Sequence, residues 1–190
     1  MDARVSLQDR FAPQLVCFGC GPANRLGLQL KSFAPEVGGL GSLRNKQSIG
    51  NTNFAIEKVT ATFTSAAHHV AFEGIVNGGI ISTLLDCHLN WTAAWHLMQK
   101  NGLPTPPCCV TAKYEVTFKA PTPIGVPLYL EAWVVESSER KAIVQGTIVP
   151  GNFSVPSLAT DEAESALEVT AAGLGTFVAV KPGHPAFHRW

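Results

Sequence analysis

The stretch Phe72–Lys100, FEGIVNGGIISTLLDCHLNWTAAWHLMQK, decides how the rest of the chain is read. The pair Gly78-Gly79 opens an apolar run far longer than a strand, so a long buried helix is expected here. Asp86 is the only acidic residue between Glu73 and Glu115. Burying a carboxylate is costly unless it is hydrogen-bonded or used, so its place in an apolar helix asks for a reason. One reading makes Asp86 a nucleophile or a general base that activates water. The other makes it a structural group that caps a loop or pairs with a histidine inside the core.

The glycines at the start of the helix offer backbone N–H groups and the positive end of the helix dipole. With no side chains in the way, a carbonyl oxygen can approach, which is the requirement for an oxyanion hole. The structural alternative is a helix start packed on another backbone. Asn77 is a good N-cap under either reading. Gly78 and Asp86 are eight residues apart, which on one helix means a separation of about 12 Å. One carbonyl carbon cannot lie within about 3 Å of both. If the two groups serve one substrate they come from different subunits, so catalysis here requires a two-fold dimer with shared sites. Asn90 lies one turn beyond Asp86 and Thr83 one turn before it. Asn90 either orients water or the carboxylate, or packs at an interface. Thr83 is a similar candidate, whose hydroxyl otherwise bonds back to the helix backbone.

Composition bounds the function. The 190 residues are 46% hydrophobic, enough to bury a core as one domain. Lys+Arg and Asp+Glu balance at 14 each, so there is no electrostatic footprint for nucleic acid or an anionic membrane. Ser82, Thr83, Asp86, His88, Asn90, Thr92 and His96 make the long run too polar for a bilayer span. No basic segment followed by an apolar one opens the chain, so no secretory signal is expected. Five cysteines, with one in the helix and two adjacent, make a poor disulfide framework, and a cytoplasmic setting is expected.

Along the chain, residues 1–16 read as a lead-in and 17–33 as a turn-rich loop running into a strand from Leu26 to Phe33. Residues 34–53 read as loop with at most one short strand. A strand with alternating pattern follows from Ile56 to Thr64. Asn101-Gly102 and Pro104–Pro107 stop the long helix. The next strand, 109–119, should turn Val110, Ala112, Tyr114, Val116 and Phe118 inward, with Thr111, Lys113, Glu115, Thr117 and Lys119 outward. Strands at 128–136 and 141–149 form a hairpin about Glu139-Arg140. A loop at 150–165, expected to be flexible, precedes a last strand near 167–180, and 183–190 is a tail. The sum is a single domain over 1–190 with its core at 17–182. Its class is α+β, an antiparallel sheet wrapped around one long helix.

Two segments carry a family resemblance: CFGCGPANRLGLQL at 17–30 and GIVNGGIISTLLD at 74–86. The first is similar to the Cys-Phe-Gly-Cys-Gly opening of many hotdog-fold thioesterases. The second resembles their His-Gly-Gly motif followed by an Asp on the central helix. YEVTFKAPTPIG and GTFVAV follow in the expected order. The resemblance covers residues 15–182 and points to the hotdog-fold thioesterase superfamily, in particular its PaaI-like acyl-CoA thioesterase group. Where those proteins usually have His before the glycines, this chain has Asn77.

The resemblance implies a thioester hydrolase acting on a small-to-medium or aromatic acyl-CoA, as a homodimer or dimer of dimers. It implies the Gly78 N–H as oxyanion donor, with Gly79 and Asn77 shaping the turn, and no cofactor besides the CoA of the substrate. His69 is a candidate polar group at the site; Lys119 and Thr122 are candidates for CoA phosphates. Cys17-x-x-Cys20 supplies two of the four ligands zinc needs, and adjacent Cys108-Cys109 are not spaced as a second pair. No metal is therefore expected, and the loop should fold over the site mouth or an interface through Phe18 and its glycines. The rival functions are a non-catalytic acyl-CoA-binding or regulatory hotdog protein and a hotdog hydratase or dehydratase. The second lacks an Asp/His pair of suitable spacing.

Overall fold

The computed structural model describes residues 4–35, 57–151 and 168–187. The expected strand-poor segment 34–53 and the loop 150–165 fall almost wholly outside the described residues. The elements run α1 (Leu7–Phe11), β1 (Ser32–Phe33), β2 (Val59–Thr64), a 3-10 turn (Ala67–His69), β3 (Val70–Phe72) and β4 (Ile75–Val76). Then follow α2 (Gly78–Lys100), β5 (Cys109–Phe118), β6 (Pro127–Ser137), β7 (Lys141–Pro150) and β8 (Ala171–Ala179).

Helix α2 is punctuated as its sequence demands. Asn77, in extended conformation, accepts the Gly79 N–H through its side chain at 2.8 Å, a side-chain N-cap. At the other end Gly102 takes φ +61°. The Leu103 N–H then reaches the Met98 carbonyl and the Gly102 N–H the Gln99 carbonyl, the paired bonds of a Schellman cap. Between the caps nearly every apolar side chain is buried, Leu84, Leu85, Leu89, Trp91, Ala93, Ala94 and Leu97 among them. A helix apolar over most of its circumference needs cover on more than one side.

The sheet supplies one side of that cover. Its strand order is β1-β2-β6-β7-β8-β5 and every pairing is antiparallel. β7 and β8 alternate cleanly, burying Ala142, Val144, Ile148 and Phe177. Gly146 and Gly173 lie directly over Leu89. The N-terminal segment covers the opposite side: the Gly19 backbone sits on Thr83 and Cys87, and the Trp91 indole N–H donates to Cys20 Sγ at 3.3 Å.

A buried polar chain stitches the layers together. His88, fully buried, donates Nε2–H to the Val59 carbonyl and accepts at Nδ1 from Ser32 Oγ. Ser32 in turn is held by both ends of the buried Gln8 amide. Every member finds a partner, the condition under which a buried polar network is tolerated.

Two expectations change. The strand foreseen from Leu26 shrinks to Ser32–Phe33. Gln29 takes φ +51°, which breaks an extended run, and Leu28 and Leu30 donate back to the carbonyls of Phe18 and Gly19. Strict alternation in β5 also fails. Thr111 pairs with Phe177 and Lys113 with Thr176, leaving Ala112 as an extra residue. Just before this bulge the Thr111 side chain, still exposed, reaches the Asp86 carboxylate on the helix. The foreseen tail is partly packed: the Cys108 thiol donates to the Ala186 carbonyl, and Ala186 is buried. No helix among the described residues is long and apolar enough to cross a membrane.

Two stability measurements follow from this packing. A methyl group on Gly146 would meet Leu89 Cδ1 at 2.7 Å and the Glu131 backbone oxygen at 2.9 Å. The side chain can yield but the backbone cannot, so Gly146→Ala should cost about 1–3 kcal/mol, read as a lower urea midpoint at unchanged slope. Burial depresses the His88 pKa from 6.5 to about 4. The unfolded chain therefore binds this proton first, so His88's contribution to stability is complete above pH 6.5 and falls as pH drops toward 4. The loss should reach about 3 kcal/mol below that, and His88→Gln should flatten this part of a stability–pH curve.

Candidate active site

The start of α2 is fixed from outside the helix. β3 and β4 form a small ribbon that turns at Gly74, where φ is +77°. The ribbon is tied to the loop after β5 by Val76 N–H to the Thr122 carbonyl and Ile124 N–H to the Gly74 carbonyl. The Asn77 N–H is held by the His69 carbonyl at 2.8 Å. Asn77 thus spends its backbone N–H on the 3-10 turn and its side chain on Gly79. Among the described residues the Gly78 N–H has no acceptor. Gly78 lines a cleft of about 450 Å³ together with Phe72, Ile75, Val76, Ile81 and Phe118, with the exposed Lys119 also in its wall. Gly78 needs to be small: a Cβ there would stand 3.3 Å from the Phe118 ring.

Asp86 faces a different space. Its carboxylate is half-buried and accepts the Thr111 hydroxyl at 2.8 Å. Burial raises its pKa, the Thr111 hydrogen bond opposes that rise, and the neighbouring Cys17 adds to it. The pocket beside it, about 190 Å³, is also lined by Asn90, Trp91 and all five cysteines. Asn90 donates its amide to the Cys109 carbonyl at 3.2 Å, so it anchors the start of β5 while bordering the pocket. Gly78 and Asp86 therefore stand on one unbroken helix and line two separate recesses, as the spacing of eight residues requires.

The remaining candidates divide. Thr83 bonds back to the Gly79 carbonyl at 2.8 Å and lies under Gly19, away from both recesses. His69 accepts the Ala66 N–H at Nδ1, stacks on Phe63, and has its pKa lowered by burial and by His68. Its tie to the site is the backbone bond to Asn77. Thr122 lines the Gly78 cleft, but it is 1% exposed and its hydroxyl is spent on Thr170. It braces the loop and presents no hydroxyl to a phosphate. Lys119 stays exposed at the rim.

Sequence reasoning missed two residues. Thr111, which holds Asp86, was assigned to the solvent side, and no pattern in the strand marks the bulge at Ala112. Cys87, next to Asp86, joins Cys17 and Cys20: the three sulfurs lie within 4.8 Å of one another. They titrate as a cluster. The Cys20 and Cys87 thiols and the Gly19 and Cys20 amides all favour the Cys17 thiolate, and Cys20 and Cys87 keep their protons more tightly than usual.

Residues 73–152 match the family model of the thioesterase superfamily. The chain has the hotdog fold of that superfamily. A thioesterase superfamily protein from Shewanella loihica is 26% identical, with 84% of this chain and 98% of that one covered at a TM-score of 0.52. Another thioesterase superfamily protein is 22% identical, over 83% of this chain and 60% of that one, at 0.53. The Escherichia coli PaaI protein from the phenylacetic acid degradation operon is 15% identical over 65% of this chain and 73% of its own, at 0.48. No curated protein matches the chain significantly.

The matched segment spans α2 and the strands β5–β7, so it contains both Gly78 and Asp86. A titration checks the contact between helix and bulge. Thr111→Val removes the one side-chain donor to Asp86 among the described residues, so the carboxyl should titrate at higher pH than in the parent protein. Carboxyl-carbon NMR reads this directly, and an unmoved midpoint would show that the Thr111 hydroxyl does not hold the carboxylate.

Proposed function

We propose that this protein hydrolyses acyl-CoA thioesters at a site shared between two copies of the chain. The observation that carries the reading is the Gly78 N–H. It has no acceptor among the described residues and belongs to a residue that lines an apolar cleft at a helix N-terminus, on the same superfamily-matched segment as a half-buried Asp86.

The thioester carbonyl oxygen sits on the Gly78 amide, and the acyl group lies along Phe72, Ile81 and Phe118. Asp86 of the second copy takes a proton from water. The water oxygen bonds to the acyl carbon, negative charge builds on the oxygen facing Gly78, and the carbon–sulfur bond breaks. The CoA thiolate leaves and is protonated. Burial suits Asp86 to this work by raising its affinity for a proton, and Thr111 holds one oxygen so that the other meets the water.

The sheet offers a way to bring the halves together. β5 is an edge strand, with Thr111 next to Asp86 and Phe118 next to Gly78. Two copies of β5 paired antiparallel about a two-fold axis near residues 114 and 115 would set Thr111 of one copy opposite Phe118 of the other. That register places one copy's Gly78 cleft across from the other's Asp86.

The test is thiol release from a panel of acyl-CoAs spanning short, medium and aromatic acyl groups. Asp86→Asn should lower kcat about 100- to 10,000-fold. Gly78→Pro is the cleanest removal of the oxyanion donor. Proline fits the first position of a helix, and Asn77 is already extended, as a residue before proline must be. It should cost about 100- to 1,000-fold in kcat; because a Cβ here would stand 3.3 Å from the Phe118 ring, the melting temperature is measured alongside to separate lost catalysis from lost folding. Mixing the two inactive proteins should restore activity, because each mixed dimer contains one site with both groups. At random mixing that amounts to about a quarter of wild-type activity. Absence of restoration in dimers shown to exchange subunits would overturn the shared site, since one chain cannot bring both groups to one carbonyl. Tight acyl-CoA binding without thiol release from any substrate would instead favour the non-catalytic binder, in which Asn77 has replaced the family histidine.

A further inference from the structure

The loop 17–21 is built around its sulfur atoms. Cys17 and Cys20 come from a tight turn closed by the Gly21 N–H on the Cys17 carbonyl at 2.9 Å, and Cys87 comes from the middle of α2. Two glycines make the approach possible. A Cβ on Gly19 would lie 2.4 Å from Cys87 Sγ, and one on Gly21 would lie 2.5 Å from the Cys17 nitrogen.

Cys17 Sγ and Cys87 Sγ are 3.7 Å apart, and Cys20 Sγ is within 4.8 Å of both. In a tetrahedral thiolate site with metal–sulfur bonds of about 2.3 Å, the sulfurs stand about 3.8 Å apart. The surroundings are donors aimed at sulfur. Trp91 Nε1–H reaches Cys20 Sγ at 3.3 Å, and the Gly19 and Cys20 amides face Cys17 Sγ. Among the described residues no lysine or arginine lines the adjoining pocket. Such N–H···S bonds are the usual outer support of a metal–thiolate site.

We infer that Cys17, Cys20 and Cys87 bind one thiophilic divalent ion of the zinc class, with the fourth position open to the pocket that holds Asp86. Metal binding displaces the thiol protons to solvent and leaves three thiolate–metal bonds. The fourth ligand comes from the pocket side, as water or a small solute. The spacing Cys-x-x-Cys supplied half of this site in sequence, and the third ligand arrived from the helix 67 residues further along. The site does not depend on Asp86 acting on a thioester.

The experiment uses the full chain, purified with a phosphine reductant and stripped of metal by a chelator. Titration with Co²⁺ should saturate at one ion per chain. It should give thiolate-to-cobalt charge-transfer absorption in the near ultraviolet and visible d–d bands of tetrahedral intensity, and Zn²⁺ should erase both. Cys17→Ser and Cys87→Ser should each weaken Zn²⁺ binding at least 100-fold in competition with a chromophoric chelator, and Trp91→Phe about 10-fold. Cys108→Ser and Cys109→Ser, which leave the three ligands in place, should bind like wild type. The wild-type spectrum decides the matter even if a cysteine variant fails to fold: saturation without thiolate bands overturns the proposal. So does zinc affinity unchanged in a folded Cys17→Ser or Cys87→Ser protein.

Discussion

Most of helix α2 does not tolerate water. Its apolar residues cover all but the stripe of Gly79, Thr83, Asp86 and Asn90, and a six-stranded sheet can cover only one side of it. The other side is closed by residues 15–33, a segment with little regular structure of its own. Its loop therefore has to satisfy its backbone locally, through the turn at Gly21 and the bonds from Leu28 and Leu30 to Phe18 and Gly19. Close contact is reached by omitting side chains, at Gly19 on one side of the helix and at Gly146 and Gly173 on the other. The buried chain from Gln8 through Ser32 to His88 and Val59 then fixes how the cover sits.

The same helix determines what the site can be. Its regularity keeps Gly78 and Asp86 about 12 Å apart, and each opens into its own recess. β5 runs past both. It meets Gly78 at Phe118 and Asp86 at the exposed Thr111, just before the bulge at Ala112. Among the described residues β5 is also an edge strand of the sheet.

Covering the helix also carries chemical consequences. The segment that excludes water from Trp91 and Cys87 delivers two more thiols to the same spot, beside the carboxylate. Packing and chemistry share residues here: Gly19 is required for the fit, and the fit brings the sulfurs within reach of one another.

Much of the fold was legible because it rests on local rules. The cap at Asn77, the stop at Asn101-Gly102, the β6–β7 hairpin and the apolar length of α2 depend on neighbours a few residues away, and each appears where its sequence places it. The separation of Gly78 from Asp86 was likewise fixed by helix geometry alone. The remainder belongs to long-range contact. Gln29 adopts positive φ because Leu28 and Leu30 must turn back to the 17–20 loop. Thr111 reaches Asp86 through a bulge that the residue pattern of β5 does not announce. Cys87 meets Cys17 and Cys20 because a loop folds across a helix 70 positions away. Periodicity along a chain records which face of an element is buried; which residues meet across that face is settled only when the layers pack.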